Sequence, residues 1–214
     1  MPEQFFGLTQ KISKNKINLK LFYIFYRDYI CPYKYTYFLE TGETIELIFE
    51  KNNFPHILGL HKFNKISSID KAEDVLASIY QEAITAQILK QSEPNIYNLP
   101  LVIDRLRYFP TLKTILDTSE VIIEFDPTKC IPTKIEADFF IYSNKIKVII
   151  FLAIRKTSIQ DKKIICYPVS FLVDRVDKFQ KEKQKHLNVS TIKIDKSQTT
   201  TSSGGLLHPI RVWY

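Results

Sequence analysis

The chain has 214 residues, 45% of them hydrophobic and 25% charged, which excludes a wholly disordered protein and leaves room for one elaborated domain or two small ones. Thirty Lys and Arg against 23 Asp and Glu give a net charge of +7, a balance that suits a polyanionic partner. Five Gly stand against 15 Phe and 12 Tyr, so a glycine-cradled nucleotide site is not expected. Cys31, Cys130 and Cys166 lie far apart with no C-x-x-C pair, which argues against a disulfide framework and against a zinc ribbon. The first residues carry no apolar signal region, and no run approaches ~18 uncharged apolar residues. The expectation is a soluble, cytoplasmic protein with reduced thiols and no membrane partner.

In chain order, Ile17, Leu21, Phe22, Ile24 and Phe25 recur near helical spacing between lysines, which predicts an amphipathic helix over 12–29, ended by Pro32. YKYTYFLE, the turn Thr41-Gly42-Glu43 and TIELIFEK predict a β-hairpin, because Ile45, Leu47 and Phe49 alternate with Glu46 and Glu50. Asp70 and Glu73 read as a capping box for one helix over 70–90, with Ala72, Val75, Leu76, Ile79, Ala83 and Ala86 on a single face. QSEPNIYNLP reads as a polar turn. Leu101, Val102, Arg105, Leu106 and Phe109 predict a short helix before Pro110, with a further turn or two over 111–117.

From residue 120 the pattern becomes β. VIIEFD, EADFFIYS, KIKVIIFLAIRK and KIICYPVSFLVD are candidate strands, the middle two joined through Ser143-Asn144-Lys145. Val148 to Ile154 is apolar on both faces, as in a central strand. DKFQKEKQKH reads as a solvated basic stretch with helix as one option, VSTIKID as one more strand, and DKSQTTTSSGG as a low-complexity segment. Together these predict a single α+β domain over 1–214, an antiparallel meander packed by the N-terminal and middle helices. Its core is placed at 15–175, followed by a C-terminal extension over 176–214 that is flexible across 195–205.

The chemistry concentrates in Phe54-Pro55-His56-Ile57-Leu58-Gly59-Leu60-His61-Lys62, which follows a strand and holds two of the four histidines. Imidazole titrates near neutrality, so a histidine pair can divide the general-base and general-acid roles at pH 7. An adjacent lysine can stabilise the charge of a pentavalent phosphorane. His56, His61 and Lys62 are thus the side chains that metal-independent RNA cleavage requires; the alternative is a polar loop with idle rings. The five-residue spacing does not fit an H-E-x-x-H zinc helix, and the segment holds no Cys, Asp or Glu, so no metal or other cofactor is expected. Arg155 at a strand end, and Arg105 beside Arg107, are candidates for gripping a phosphate. Tyr142 and Tyr167 are candidates for stacking on bases. Ser170 offers a hydroxyl without a G-x-S-x-G elbow.

The same stretch, IELIFEKNNFPHILGLHKF, resembles the signature of the phage-associated Barnase–EndoU–colicin E5/D–RelE-like nuclease domains, in the group called PBECR4. The likeness is specific through Asn53–Lys62 and continues more loosely through EADFFIYS, VIIFLAIRK and YPVSFLVD. The resemblance implies helices on one face of an antiparallel sheet and metal-independent ribonuclease activity, with His56, His61 and Lys62 carried over by the motif. Relatives of that fold act as toxins, in phage–host conflict and in RNA processing. It also implies RNA, with tRNA among the candidates, as substrate, and an antitoxin or immunity protein as the partner a toxin of this kind would have. The expected function is therefore an endoribonuclease acting by 2′-OH transesterification. The rival is a non-catalytic module that binds nucleic acid or protein on the same scaffold.

Overall fold

The structure, a computed structural model, describes residues 1–197. Helix α1 (Leu19–Tyr29) is shorter than expected and starts where the Asn18 side chain accepts from the Leu21 N–H at 2.8 Å. The predicted hairpin follows as β1 (Tyr33–Leu39) and β2 (Thr44–Leu47). Next come α2 (Phe54–Leu58), α3 (Asn64–Ser67), α4 (Ala72–Tyr80), α5 (Ala86–Ser92), α6 (Pro94–Tyr97), α7 (Pro100–Tyr108) and α8 (Leu112–Asp117). The remaining strands are β3 (Val121–Glu124), β4 (Phe139–Ile141), β5 (Ile149–Gln160), β6 (Lys163–Asp174) and β7 (Lys185–Lys196). Among the described residues no helix is long and apolar enough to cross a membrane.

Two local expectations are corrected. The single helix over 70–90 is two helices, because the chain breaks after α4, where Glu82 takes φ 62°, and restarts where the Thr85 hydroxyl accepts from the Ile88 N–H. The Asp70/Glu73 capping box does not form: Lys71 is the N-cap without a side-chain bond, and Glu73 instead accepts from Asn52 Nδ2 at 2.6 Å. DKFQKEKQKH supplies only the short 3-10 turn Lys181–Lys183 before the chain enters β7.

The larger correction concerns the sheet. In place of an antiparallel meander covered by helices, the seven strands close into a barrel in the order β1-β2-β6-β5-β4-β3-β7. Two pairings account for the difference. β2 runs parallel to β6, with Ile45 opposite Ile164 and Leu47 opposite Cys166, and the long connection that a parallel pair requires runs through the helices and β3–β5. β7 then pairs antiparallel with both β3 and β1, closing the ring and leaving no open sheet edge between them. The segment after 176 that the sequence set apart as an extension thus supplies a barrel strand. Residues 198–205 of the 195–205 stretch, and the LLHPIRVWY segment, lie outside the described residues.

One face of every strand joins a single apolar core with the helices. Tyr35 and Tyr37 of β1, Ile45 and Leu47 of β2, Phe171 of β6, Leu152 of β5, Ile141 of β4, Ile122 of β3 and Leu187 of β7 all belong to it. Their registers agree: Leu47 faces Tyr35, Leu152 faces both Phe171 and Ile141, and Ile122 faces both Ile141 and Leu187. The opposite face of β3–β6 carries a second, smaller core in which Phe125, Phe140 and Phe151 stack, closed by Phe179. Two cores explain why Val148 to Ile154 is apolar on both faces. Pro168, which has no N–H to give, sits where the β5–β6 register shifts and beyond the end of the β2 pairing.

Phe109, at the end of α7, is the hub between helices and barrel. It is fully buried and its ring meets Phe22, Phe25 and Tyr26 of α1, Phe54 of α2 and Phe171 of β6. Phe109→Ala should lower unfolding stability by about 3–5 kcal/mol in urea titrations; a loss under ~1 kcal/mol would mean that the helical layer does not depend on this contact.

Candidate functional site

The histidine segment is built around Gly59. Asn53 Oδ1 accepts from the Glu50 N–H at 2.8 Å, Pro55 opens α2 in its first turn, and Gly59 ends it in the left-handed region at φ 71°. The Gly59 N–H closes on the His56 carbonyl at 2.9 Å, and the chain turns at once into the 3-10 segment Leu60–Lys62. On one continuous helix, residues five apart project about 140° from each other. The reversal at Gly59 overrides that geometry and brings the His56 and His61 ring centroids to 5.4 Å, with 32° between the planes. Phe54, Ile57, Leu58, Leu60 and Phe63 are fully buried and anchor the segment.

The fourth member of the cluster comes from α7, which packs on β6 as α2 does. Arg105 is only 6% exposed, and its guanidinium lies against Gly59 so closely that a Cβ there would stand 2.8 Å from Nη1. Among the described residues no carboxylate pairs with it, and burial brings the guanidinium down to about 10. His61 is pushed down to about 4, first by burial and then by the charges of His56, Lys62 and Arg105. Its Nδ1 is buried without a hydrogen-bond partner among the described residues. Burial also lowers His56, and burial together with Arg105 lowers Lys62. The segment therefore presents two neutral rings within a field of uncompensated positive charge. Leaving an ion desolvated and unpaired is unfavourable by several kcal/mol, so the arrangement favours an anion.

The other candidates lie elsewhere. Arg155 is exposed on β5 and bound to Glu136, Nη1 to Oε2, at 2.8 Å. Tyr142 is buried in the second core, edge-on to Phe151 and with Lys181 Nζ 4.3 Å from its ring centre. Ser170 is buried opposite Ala153, on the face of β6 turned to that second core. Arg107 donates from Nε to the Ile12 carbonyl at 2.9 Å and ties down the N-terminal segment. Two surface depressions, of about 260 and 200 Å³, lie beside Asp117–Glu120 and beside Asn18 and Glu82, away from the histidines. Among the described residues no three His, Cys, Asp or Glu side chains are grouped to hold a metal ion.

Sequence reading did not assign a role to Gly59 or to the pair next to Arg105. Arg175, just after β6, donates from Nε to Asp104 Oδ2 at 2.5 Å and from Nη2 to Oδ1 at 2.9 Å. A glycine between two histidines five apart was the available signal for the first. For the second there was none, because 71 residues separate the partners.

No curated protein and no solved structure matches the chain. The family model for PBECR4, described as phage-Barnase-EndoU-ColicinE5/D-RelE like nuclease4, matches residues 18–203 and so takes in the histidine segment, α7 and all seven strands. The chain belongs to this nuclease family.

Proposed function

We propose that this nuclease is a metal-independent endoribonuclease whose reaction takes place at His56, His61, Lys62 and Arg105. The observation that carries the reading is the buried Arg105 guanidinium with no carboxylate among the described residues, beside two imidazoles 5.4 Å apart. A phosphodiester is the anion whose cleavage two imidazoles can serve. One ring takes the proton from the ribose 2′-OH as the 2′-oxygen bonds to phosphorus. The other gives a proton to the 5′-oxygen as the P–O5′ bond breaks. The products are a 2′,3′-cyclic phosphate and a free 5′-OH. Arg105 and Lys62 hold the phosphoryl oxygens through the pentavalent transition state. Arg155, engaged with Glu136, is left out of the mechanism, and Tyr142 and Ser170 serve the second core.

Purified protein should cut total RNA or tRNA in the presence of EDTA and leave cyclic phosphate termini. His56→Ala and His61→Ala should each lower the rate by about 10²–10⁴ without loss of cooperative unfolding. RNA left intact at high protein concentration would overturn the reading. Retention of RNA without cleavage would then favour the binding module, and cleavage that appears only with Mg²⁺ or Mn²⁺ would favour a metal-dependent phosphodiesterase.

The electrostatics give a separate signature. His61 in the fold sits at about 4, below its ordinary value near 6.5, so between these pH values the unfolded chain binds the extra proton. The stabilisation is present above pH ~6.5 and is lost as pH falls toward 4. Urea unfolding at pH 7.0, 5.5 and 4.5 should show His61→Asn losing less stability on acidification than the unsubstituted protein, by roughly 1–3 kcal/mol. Parallel pH profiles would mean that His61 is not held neutral by its surroundings.

A further inference from the structure

Among the described residues Arg105 has no carboxylate partner, although a carboxylate precedes it on the same helix. Asp104 is 7% exposed, and neighbouring Arg and Asp side chains on a helix can join: on α1, Arg27 and Asp28 do so, Nε to Oδ1 at 2.6 Å and Nη2 to Oδ2 at 2.8 Å. On α7 the equivalent partner is already taken. Arg175 grips both Asp104 oxygens, at 2.5 and 2.9 Å, in a two-pronged fork. Arg175 is itself set in place by the next turn, where the buried Asp174 accepts from the N–H groups of Val176, Lys178 and Phe179 at 3.3, 2.9 and 3.1 Å. Phe179 then seals the second core, so the loop that presents Arg175 is anchored at both ends.

We infer that Arg175 is a positioning residue, which occupies Asp104 and thereby leaves the Arg105 guanidinium open to a substrate phosphate. The inference rests on Arg105 as the phosphate receptor of the proposed reaction. Without Arg175, the Asp104 carboxylate would do two things. It would offer Arg105, its neighbour in sequence, a competing partner, and it would add an uncompensated negative charge to the helix that carries the phosphate receptor. A bridge that only fastened α7 to the end of β6 would have neither consequence.

The test breaks the same bridge from its two ends. The probe is a fluorescent DNA oligonucleotide, which lacks the 2′-OH nucleophile and cannot be cut by this route, and anisotropy at fixed salt reads its affinity. Arg175→Gln should weaken binding about tenfold or more. Asp104→Asn removes the competing carboxylate and should retain affinity within about threefold of the unsubstituted protein. The double substitution should regain what Arg175→Gln loses. A purely structural bridge predicts that all three variants weaken together, and that result would overturn the inference, as would unchanged binding by Arg175→Gln. Thermal melting of each variant checks the fold; if Arg175→Gln does not fold, Asp104→Asn and the double variant still decide, since weakened binding by both overturns the inference. Failure of the unsubstituted protein to bind the oligonucleotide would overturn the phosphate-receptor reading and the inference with it. Binding that Arg175→Gln leaves intact overturns the inference alone.

Discussion

A guanidinium taken out of water, with no carboxylate paired to it among the described residues, is the constraint around which the candidate site is arranged. Arg105 is held there by two features that each exclude something. Gly59 has no Cβ, so the guanidinium can lie close against its backbone, and the left-handed turn that glycine permits sets the two histidines side by side. Arg175 holds Asp104, so both oxygens of the carboxylate on α7 are engaged by another guanidinium. A side chain at position 59 would meet both constraints at once, the strain of φ 71° and a contact at 2.8 Å. The glycine that aligns the rings is therefore the same one that admits the cation.

The barrel makes this meeting possible. α2 and α7 are separated by some forty residues of helix and turn, yet both pack on β6, and Phe54 of α2 meets Phe109 at the end of α7 ring to edge. β6 is fixed on one side by its parallel partner β2 and on the other by the long antiparallel pairing with β5. The loop after β6 carries Arg175 back to α7. Strand, loop and two helices thus bring together the histidine segment, the Asp104–Arg105 stretch of α7 and Arg175 from distant parts of the chain. Rigid elements of this kind hold a charged constellation better than a free loop does.

Local pattern made much of this legible. Ile45 and Leu47 alternating with Glu46 identified β2; helical spacing before Pro110 identified α7; and the F-P-H…G-L-H-K run pointed to the site and to its family. What stayed hidden was non-local. The period of a strand reveals which face is buried, not which strand lies beside it, so neither the parallel β2–β6 pair nor the closure through β7 follows from VSTIKID. The double-sided apolar run of β5 signalled two covered faces but not that one of them is covered by loops. Arg105 was legible as a candidate for gripping a phosphate, but its burial without a carboxylate among the described residues was not, because that is a property of the packed chain. The break after α4 was missed because Ala83 and Ala86 continue the apolar face in register across a turn that Glu82 and Thr85 impose.

A histidine held near 4 is ill suited to donate a proton at pH 7 unless the charge around it changes. Burial is the largest cause of the depression, and the repulsion of His56, Lys62 and Arg105 adds to it. In the proposed reaction a phosphodiester brings a negative charge against those same cations. The repulsion is then offset, and protonation of one ring is favoured by the substrate itself. The proposed reaction thus starts from two rings lowered by their surroundings and favours one neutral and one protonated ring as the phosphodiester binds, which is the division of labour that transesterification needs. In the proposed reaction the cations that add to the depression of His61 are the ones that would hold the phosphate. A cluster of this kind is most competent when an anion occupies it, which gives the unpaired guanidinium a role that its burial cost alone would not explain.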